Sequence, residues 1–127
     1  MIRRGALPFV VVLAVATIAA AHHSVPGQFD TAKPMTLKGV ISGIDWVNPH
    51  IYIHLDVKGD SGDVEKWSLG SAPPAMLRKA NLTKAKLMGK GEVVEIVVYP
   101  ARDGTKNLAW LTKITYPDGR VLTLDGR

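Results

Sequence analysis

Cysteine is absent from the 127 residues, which removes disulfide scaffolds, thiolate zinc sites and thiol catalysis together. Aromatic residues make up only 6%, so each large ring weighs heavily in any core or site. The glycine patterns of nucleophile elbows, phosphate loops and dinucleotide folds are missing as well, and with them the enzymes those patterns announce. Carboxylates occur singly and mostly in turns, at Asp60, Asp63, Asp103 and Asp118. No acid/base pair or catalytic residue can be nominated from them, and a non-enzymatic protein is expected.

What is present begins with a targeting pattern. Arg3 and Arg4 precede an apolar run from Ala6 to Ala21 that closes on Ala19-Ala20-Ala21. A basic start, a short apolar middle and small residues at the cleavage positions predict a secretory signal peptide over 1–21. The run falls short of the roughly 20 residues a membrane span requires, so no span is expected after cleavage. Removal takes away both arginines and lowers the formal net charge of +5 by two, which weakens the case for a nucleic-acid partner. The expected location is the periplasm or the outside of the cell.

Beyond a polar leader over 22–33, the remaining residues, 34–127, read as one small β domain. Met35 to Trp46 is an extended run broken by Gly39 and Gly43, and glycines inside a strand mark bulges or sharp coiling. His50 to Val57 alternates, with Ile51, Ile53, Leu55 and Val57 on one face and His50, Tyr52, His54 and Asp56 on the other. The turn formers from Lys58 to Asp63 join it to a strand over Val64 to Leu69 as a hairpin. Pro73 and Pro74 then open a short helix over Ala75–Ala80. Thr83 caps a second over Lys84–Met88, closed by Gly89. Met76, Leu77, Ala80, Leu87 and Met88 are expected to face the core. The β-branched run Glu92 to Tyr99, the strand Leu108 to Tyr116 and a last hairpin onto Val121 to Leu124 complete the chain.

That order predicts an all-β, OB-like Greek-key barrel of five to six antiparallel strands, with a short helical insertion between strands three and four. A six-stranded roll or sandwich with a lid helix fits the same elements. On the barrel reading, Trp46-Val-Asn-Pro-His50 forms the loop between strands one and two, and Pro100 to Gly104 opens the loop between strands four and five. Those loops flank the usual ligand face of the fold. Trp46, Asn48, His50, Tyr52, Arg102 and Asp103 are therefore the candidate ligand-binding residues. Turn chemistry and a core tryptophan account for the first of the two loops equally well.

Cleavage after Ala21 would leave His22 and His23 at the amino terminus. An α-amine with two imidazoles is a nitrogen donor set suited to tetragonal copper. With His50 they form the candidate metal residues, and copper the candidate cofactor. An ordinary polar chain end explains the pair too. His50 and His54 share a strand face roughly 13 Å apart at about 3.3 Å per residue, too far to hold one ion together. Arg78, Lys79, Lys84, Lys86 and Lys90 offer a contact to anionic lipid or glycan, or simply the solvated side of two short helices.

The signal pattern, His22-His23-Ser24, Phe29-Asp30, Trp46-Val-Asn-Pro-His50, Trp67-Ser-Leu69 and Pro100-Ala-Arg-Asp-Gly104 together resemble the small secreted bacterial proteins grouped as domain of unknown function 6152. The resemblance spans nearly all of the chain after the signal pattern, and the Trp-x-Asn-Pro-His word is its most specific part. It implies export and a small β domain but supplies no activity. Gly70 stands where the resemblance implies an acidic residue, and Asn81 where it implies a helix-ending glycine. The expected function is an exported, non-enzymatic binding or accessory module for a small ligand or an envelope protein. The alternatives are a copper-binding protein using the histidine pair and a structural partner of another envelope protein.

Overall fold

The computed structural model describes residues 24–124. The signal pattern and the His22-His23 pair lie outside the described residues. The elements are α1 (Val25–Gln28), β1 (Met35–Asp45), β2 (Tyr52–Lys58), β3 (Val64–Gly70), α2 (Pro74–Lys79), α3 (Lys84–Met88), β4 (Val93–Pro100), β5 (Leu108–Thr115) and β6 (Val121–Thr123).

The strands hydrogen-bond in the order β3-β2-β1-β4-β5-β6, and β3 also pairs with β5. That last pairing is parallel, Ser68 to Leu108, Leu69 to Ala109 and Gly70 to Trp110. It closes five strands into the OB-like barrel and leaves β6 as an added strand on β5. An open roll or sandwich is thereby excluded, because closure removes the two free edges such a sheet would keep.

One strand makes the closure possible by serving two neighbours. The first half of β1, Met35–Val40, pairs with β4, and the second half, Val40–Asp45, pairs with β2. Its core-facing residues run Leu37, Gly39, Ile41 and then Ile44, a change of parity that a period-two strand makes only through an inserted residue. The register shift lies between Ile41 and Gly43. Gly39 has a different task. A Cβ there would run into the backbone carbonyl of Asp56 on β2, so only glycine lets the two strands approach so closely. A second bulge acts in β5, where the β4 pairing shifts between Val97 and Val98. Ala109 and Leu111 face the core before it and Ile114 after it.

The core gathers Ile51, Ile53, Leu55, Leu69, Ile96, Val98, Leu111 and Ile114, all fully buried, with Leu77 from α2 and Leu87 from α3. At about 1.5–3 kcal/mol for each fully buried aliphatic side chain, this cluster supplies the main driving force for a domain without disulfides. Helix α3 is seated by Tyr116, whose hydroxyl donates to the Leu87 carbonyl at 2.6 Å. Thr83 caps it through a hydrogen bond accepted from the Lys86 amide. Asn81 takes the left-handed conformation, φ +57°, and so ends α2 in the place where the resemblance implied a glycine.

The expected inward face of the helices needs correction. Met76 is 42% exposed and Ala80 is also exposed. In the six residues of α2 only Pro74 and Leu77 are buried. An i, i+3 pair fills the single turn that can reach the core, and Met76, one position off that line, projects outward.

Candidate functional site

The polar leader carries structure from Val25 onward. Ser24 accepts a hydrogen bond from the Gly27 amide and begins the single turn of α1. The chain then lies along the loop between β4 and β5. Phe29 forms a bridge with Ala101, the Asp30 amide donates to the Pro100 carbonyl at 2.9 Å, and the Arg102 amide donates to the Gln28 carbonyl at 2.8 Å. The Arg102 side chain grips the same segment, its Nε donating to the Pro26 carbonyl at 3.1 Å and its terminal nitrogen to the Phe29 carbonyl at 3.4 Å. Residues 25–30 form a strap, and Arg102 is its buckle.

Beneath the strap the barrel wall presents a row of three residues across three strands. Tyr52 of β2 stands opposite Gly70 of β3, and Gly70 opposite Trp110 of β5. Tyr52 alternates with core-facing Ile53, and Trp110 lies between core-facing Ala109 and Leu111, so both rings stand on the outer side of the wall. The middle position has no side chain. A Cβ on Gly70 would lie 3.2 Å from the Trp110 ring, tighter than ordinary packing, and 3.7 Å from the Tyr52 ring, so the absence of a side chain lets the two rings stand close over this position, beside the cavity they line.

His50, from the loop between β1 and β2, forms a further wall. Its ring meets Trp110 edge to face, with centroids 5.2 Å apart and planes at 86°. Phe29 of the strap packs on the same tryptophan from above at 5.7 Å. Together with Val25, Gln28 and Leu108 these residues enclose a cavity of about 130 Å³. Edge-to-face and tilted aromatic pairs add about 0.5–1.5 kcal/mol each beyond area burial, so the walls are held by their own packing. The Nδ1 atom of His50 is buried and has no hydrogen-bond partner among the described residues. An unsatisfied buried polar atom costs about 1–3 kcal/mol, and such an atom beside a cavity marks a place where a guest has something to bond.

The candidate residues distribute unevenly around this cavity. His50 and Tyr52 line it. Arg102 serves it indirectly by fastening the strap. Trp46 is half-buried against the hydrophobic core, and Asn48 is exposed in the loop, ahead of a cis bond to Pro49. Asp103 is engaged within its own turn, accepting from the Thr105 hydroxyl at 2.6 Å and the Thr105 amide at 2.9 Å. Those two bonds, the hydroxyl first, hold its carboxyl below the ordinary aspartate range. His54 is turned to Asp45, with Nε2 and Oδ2 2.8 Å apart.

Phe29, Gly70, Leu108 and Trp110 were not among the candidates. Gly70 was singled out only as a departure from the acidic residue that the resemblance implies, and it proves to be the floor of the cavity. Trp110 reads from the sequence as one more residue of an apolar strand, since its outward aim depends on the parallel closure with β3. Among the described residues no three His, Cys, Asp or Glu side chains gather to hold a metal.

A larger cleft of about 570 Å³ lies between α3 and the turn before β6, lined by Lys86, Lys90, Glu92, Asp118 and Arg120 among others. Its polar groups already serve one another. Lys86 Nζ donates to the Asn81 carbonyl and Arg120 donates to the Lys86 carbonyl, while Asp118 accepts from the Arg120 amide and Glu92 from the Lys90 amide. The Arg120 guanidinium lies 3.9 Å above the centre of the Tyr116 ring; its Nε is buried without a partner among the described residues. The side chains of Arg78, Lys79, Lys84, Lys86 and Lys90 are all exposed.

Residues 10–109 match the family of unknown function DUF6152. The chain belongs to that family. No curated protein and no solved structure matches it. The match takes in the leader, the strap, the Trp46–His50 word, Gly70 and Leu108, so most of the walls of the cavity fall within the part that defines the family.

Proposed function

We propose that this protein is an exported, non-enzymatic binding module whose ligand seat is the hollow between Tyr52 and Trp110, floored by Gly70 and roofed by the strap. The observation that carries the reading is the Tyr52–Gly70–Trp110 row with the unpartnered His50 nitrogen beside it. Size limits the guest. Sites for drug-sized ligands enclose about 300–1,000 Å³, and a dry cavity of about 150 Å³ takes one benzene ring. A space of about 130 Å³ suits a single ring, a comparably compact polar molecule or an ion, and is too small for a saccharide chain or a nucleotide. The seat also lies where the OB fold presents ligands, between the β1–β2 and β4–β5 loops. What gathers there is aromatic surface and one imidazole, which suits capture better than catalysis. Export rests on the signal pattern over 1–21, and no helix among the described residues is long and apolar enough to cross a membrane.

Two measurements test the reading. Cell fractionation followed by amino-terminal sequencing is expected to find the protein outside the cytoplasm, beginning at His22. Recovery in the cytoplasm still carrying Met1 would overturn export. For the seat, the probe is phenol, which offers one ring and one hydroxyl. Titrated into 15N-labelled protein, it is expected to shift the signals of His50, Tyr52, Gly70 and the Trp110 indole, with millimolar affinity. Shifts confined to the Lys86–Arg120 cleft, or none at all, would contradict the assignment.

A further inference from the structure

The walls of the cavity under the strap carry rings and no charge. Among the described residues, no Lys, Arg, Asp or Glu lines it, whereas Phe29, Tyr52 and Trp110 all do. Aromatic residues are only 6% of the chain, so three around one space of about 130 Å³ is a concentration that composition does not supply. The rings are not stacked as one layer. His50 stands at 86° and Phe29 at 43° to the Trp110 plane, so the walls bound the space from different directions. An aromatic ring carries a quadrupole with its negative part on the faces, and a space walled by several rings attracts positive charge without any carboxylate.

The remaining polar groups decide which cation is suited. They are the Gln28 amide, the Tyr52 hydroxyl and the His50 imidazole. A primary ammonium brings three N–H donors and a tightly held hydration shell, and here no carboxylate replaces the lost water. A metal ion needs a set of ligating side chains, and no such trio exists among the described residues. An anion would look to Arg102, but that side chain does not line the cavity and donates to the carbonyls of Pro26 and Phe29 on the strap. A quaternary ammonium has positive charge and no N–H to satisfy. It is held by ring faces and by contact with its methyl groups, which is what these walls offer.

We infer that the seat receives a small quaternary ammonium, a trimethylammonium head group caged by Phe29, Tyr52 and Trp110. The inference rests on the proposed seat and names the class of its ligand. Size agrees, since a trimethylammonium head is about as bulky as the benzene ring that a dry cavity of about 150 Å³ accepts. Exposure sets the direction of entry. Phe29 is 7% and Trp110 9% exposed, whereas Tyr52 is 37% exposed, so the first two are inner walls and Tyr52 stands at the mouth. The methyl groups enter first, and the longer substituent on nitrogen trails past Tyr52 toward solvent. Phe29 belongs to the strap, so the cage is complete only while Arg102 holds that segment down.

The test is titration of three probes into 15N-labelled protein at constant ionic strength: choline, its uncharged isostere 3,3-dimethylbutan-1-ol, and ethanolamine, which keeps the charge and lacks the methyl groups. Choline is expected to shift the signals of Tyr52, Gly70 and the Trp110 indole and to bind about tenfold more tightly than either of the others. Equal affinity for the uncharged alcohol would reduce the site to an apolar pocket, and equal affinity for ethanolamine would reduce it to a charge effect. Either result overturns the inference. Two variants ask whether the rings are responsible. Tyr52→Leu keeps apolar bulk at the mouth without the ring, and is expected to lose about threefold or more in choline affinity while its affinity for the alcohol stays the same. Tyr52→Phe is expected to keep choline binding. An unchanged preference for choline in folded Tyr52→Leu protein would contradict the cage. The comparison of the three probes on the unaltered protein stands even if a variant folds poorly. If choline produces no shifts while phenol still shifts Trp110, the quaternary ammonium falls and the seat stands. If phenol fails as well, both fall.

Discussion

Glycine does three different jobs in this small barrel. At Gly39 it permits a close crossing of β1 over the Asp56 carbonyl, at Gly43 it completes a bulge, and at Gly70 it lets the Trp110 ring stand close over β3. Alanine scanning separates these roles. Gly39→Ala is expected to cost about 1–3 kcal/mol, because the added methyl meets backbone that cannot rotate away. Gly43→Ala would place its methyl 3.7 Å from the His54 ring, an ordinary contact, and is expected to stay within about 0.5 kcal/mol of the parent. Urea denaturation of both variants checks the contrast, and equal losses would contradict the assigned roles. The sequence marks Gly39 and Gly43 as interruptions of a strand, but which of them meets a neighbouring backbone depends on a register that only the folded pairing sets. Similarly the shared strand face of His50 and Tyr52, which both line the cavity, is legible from the strand's alternation. Phe29 is not, because it sits in a polar leader, and its partner Trp110 is separated from it by most of the chain.

Strap and helices show how single contacts hold short elements in place. A four-residue helix has no intrinsic stability, so α1 depends on Arg102 and the bridge to Ala101. Arg102→Ala is expected to speed hydrogen exchange at the Asp30 amide at least tenfold while leaving exchange in β2 and β5 unchanged. Local opening of this kind draws on the low end of a protein's stability range. A uniform change across the barrel would mean that the strap is part of the global unfolding unit instead. Helix α3 depends in the same way on the Tyr116 hydroxyl. Burial, the largest cause, pushes that phenol above the usual tyrosine range, and the nearby Arg120 opposes it only in part. Because the folded-state value is raised, the native state holds the proton more tightly than the unfolded chain. Its contribution is therefore complete below about pH 10 and is lost as pH climbs through the folded-state value. Tyr116→Phe is expected to cost about 1–2 kcal/mol at neutral pH and to flatten the decline in stability above pH 10, as followed by denaturation across pH. The helices themselves were readable from Pro74, Thr83 and Gly89. Their inward face was not, since a six-residue helix completes too few turns for periodicity to fix its phase, and Met76 accordingly faces water.

For the whole molecule, one parallel pairing decides the architecture. Alternation, turn residues and the position of the helices are local signals, and they are enough to order the strands and the helical insertion along the chain, an order that fits both an OB-like barrel and an open roll. The closure of β3 on β5 is non-local, and it alone distinguishes the barrel from an open roll. It also creates the proposed seat, since the Tyr52–Gly70–Trp110 row exists only when those two strands meet. Core integrity should be costly to disturb in a domain of this size. Ile53→Ala, which removes a fully buried side chain, is expected to lose about 2–5 kcal/mol, a large share of the roughly 5–15 kcal/mol that holds a domain folded. A loss below 1 kcal/mol in urea denaturation would mean that the core repacks far more freely than its burial suggests.

The central claim is that the hollow over Gly70 receives the ligand, and the most direct test is to fill it. Valine is a good strand former, and at this position it would place a branched side chain against the Trp110 ring where the guest would sit. With Gly70→Val, the phenol-induced shifts at His50, Tyr52 and the Trp110 indole are expected to disappear while the rest of the 15N correlation spectrum keeps its folded dispersion. Persistence of those shifts in a folded Gly70→Val protein would contradict the account and place the seat elsewhere on the barrel.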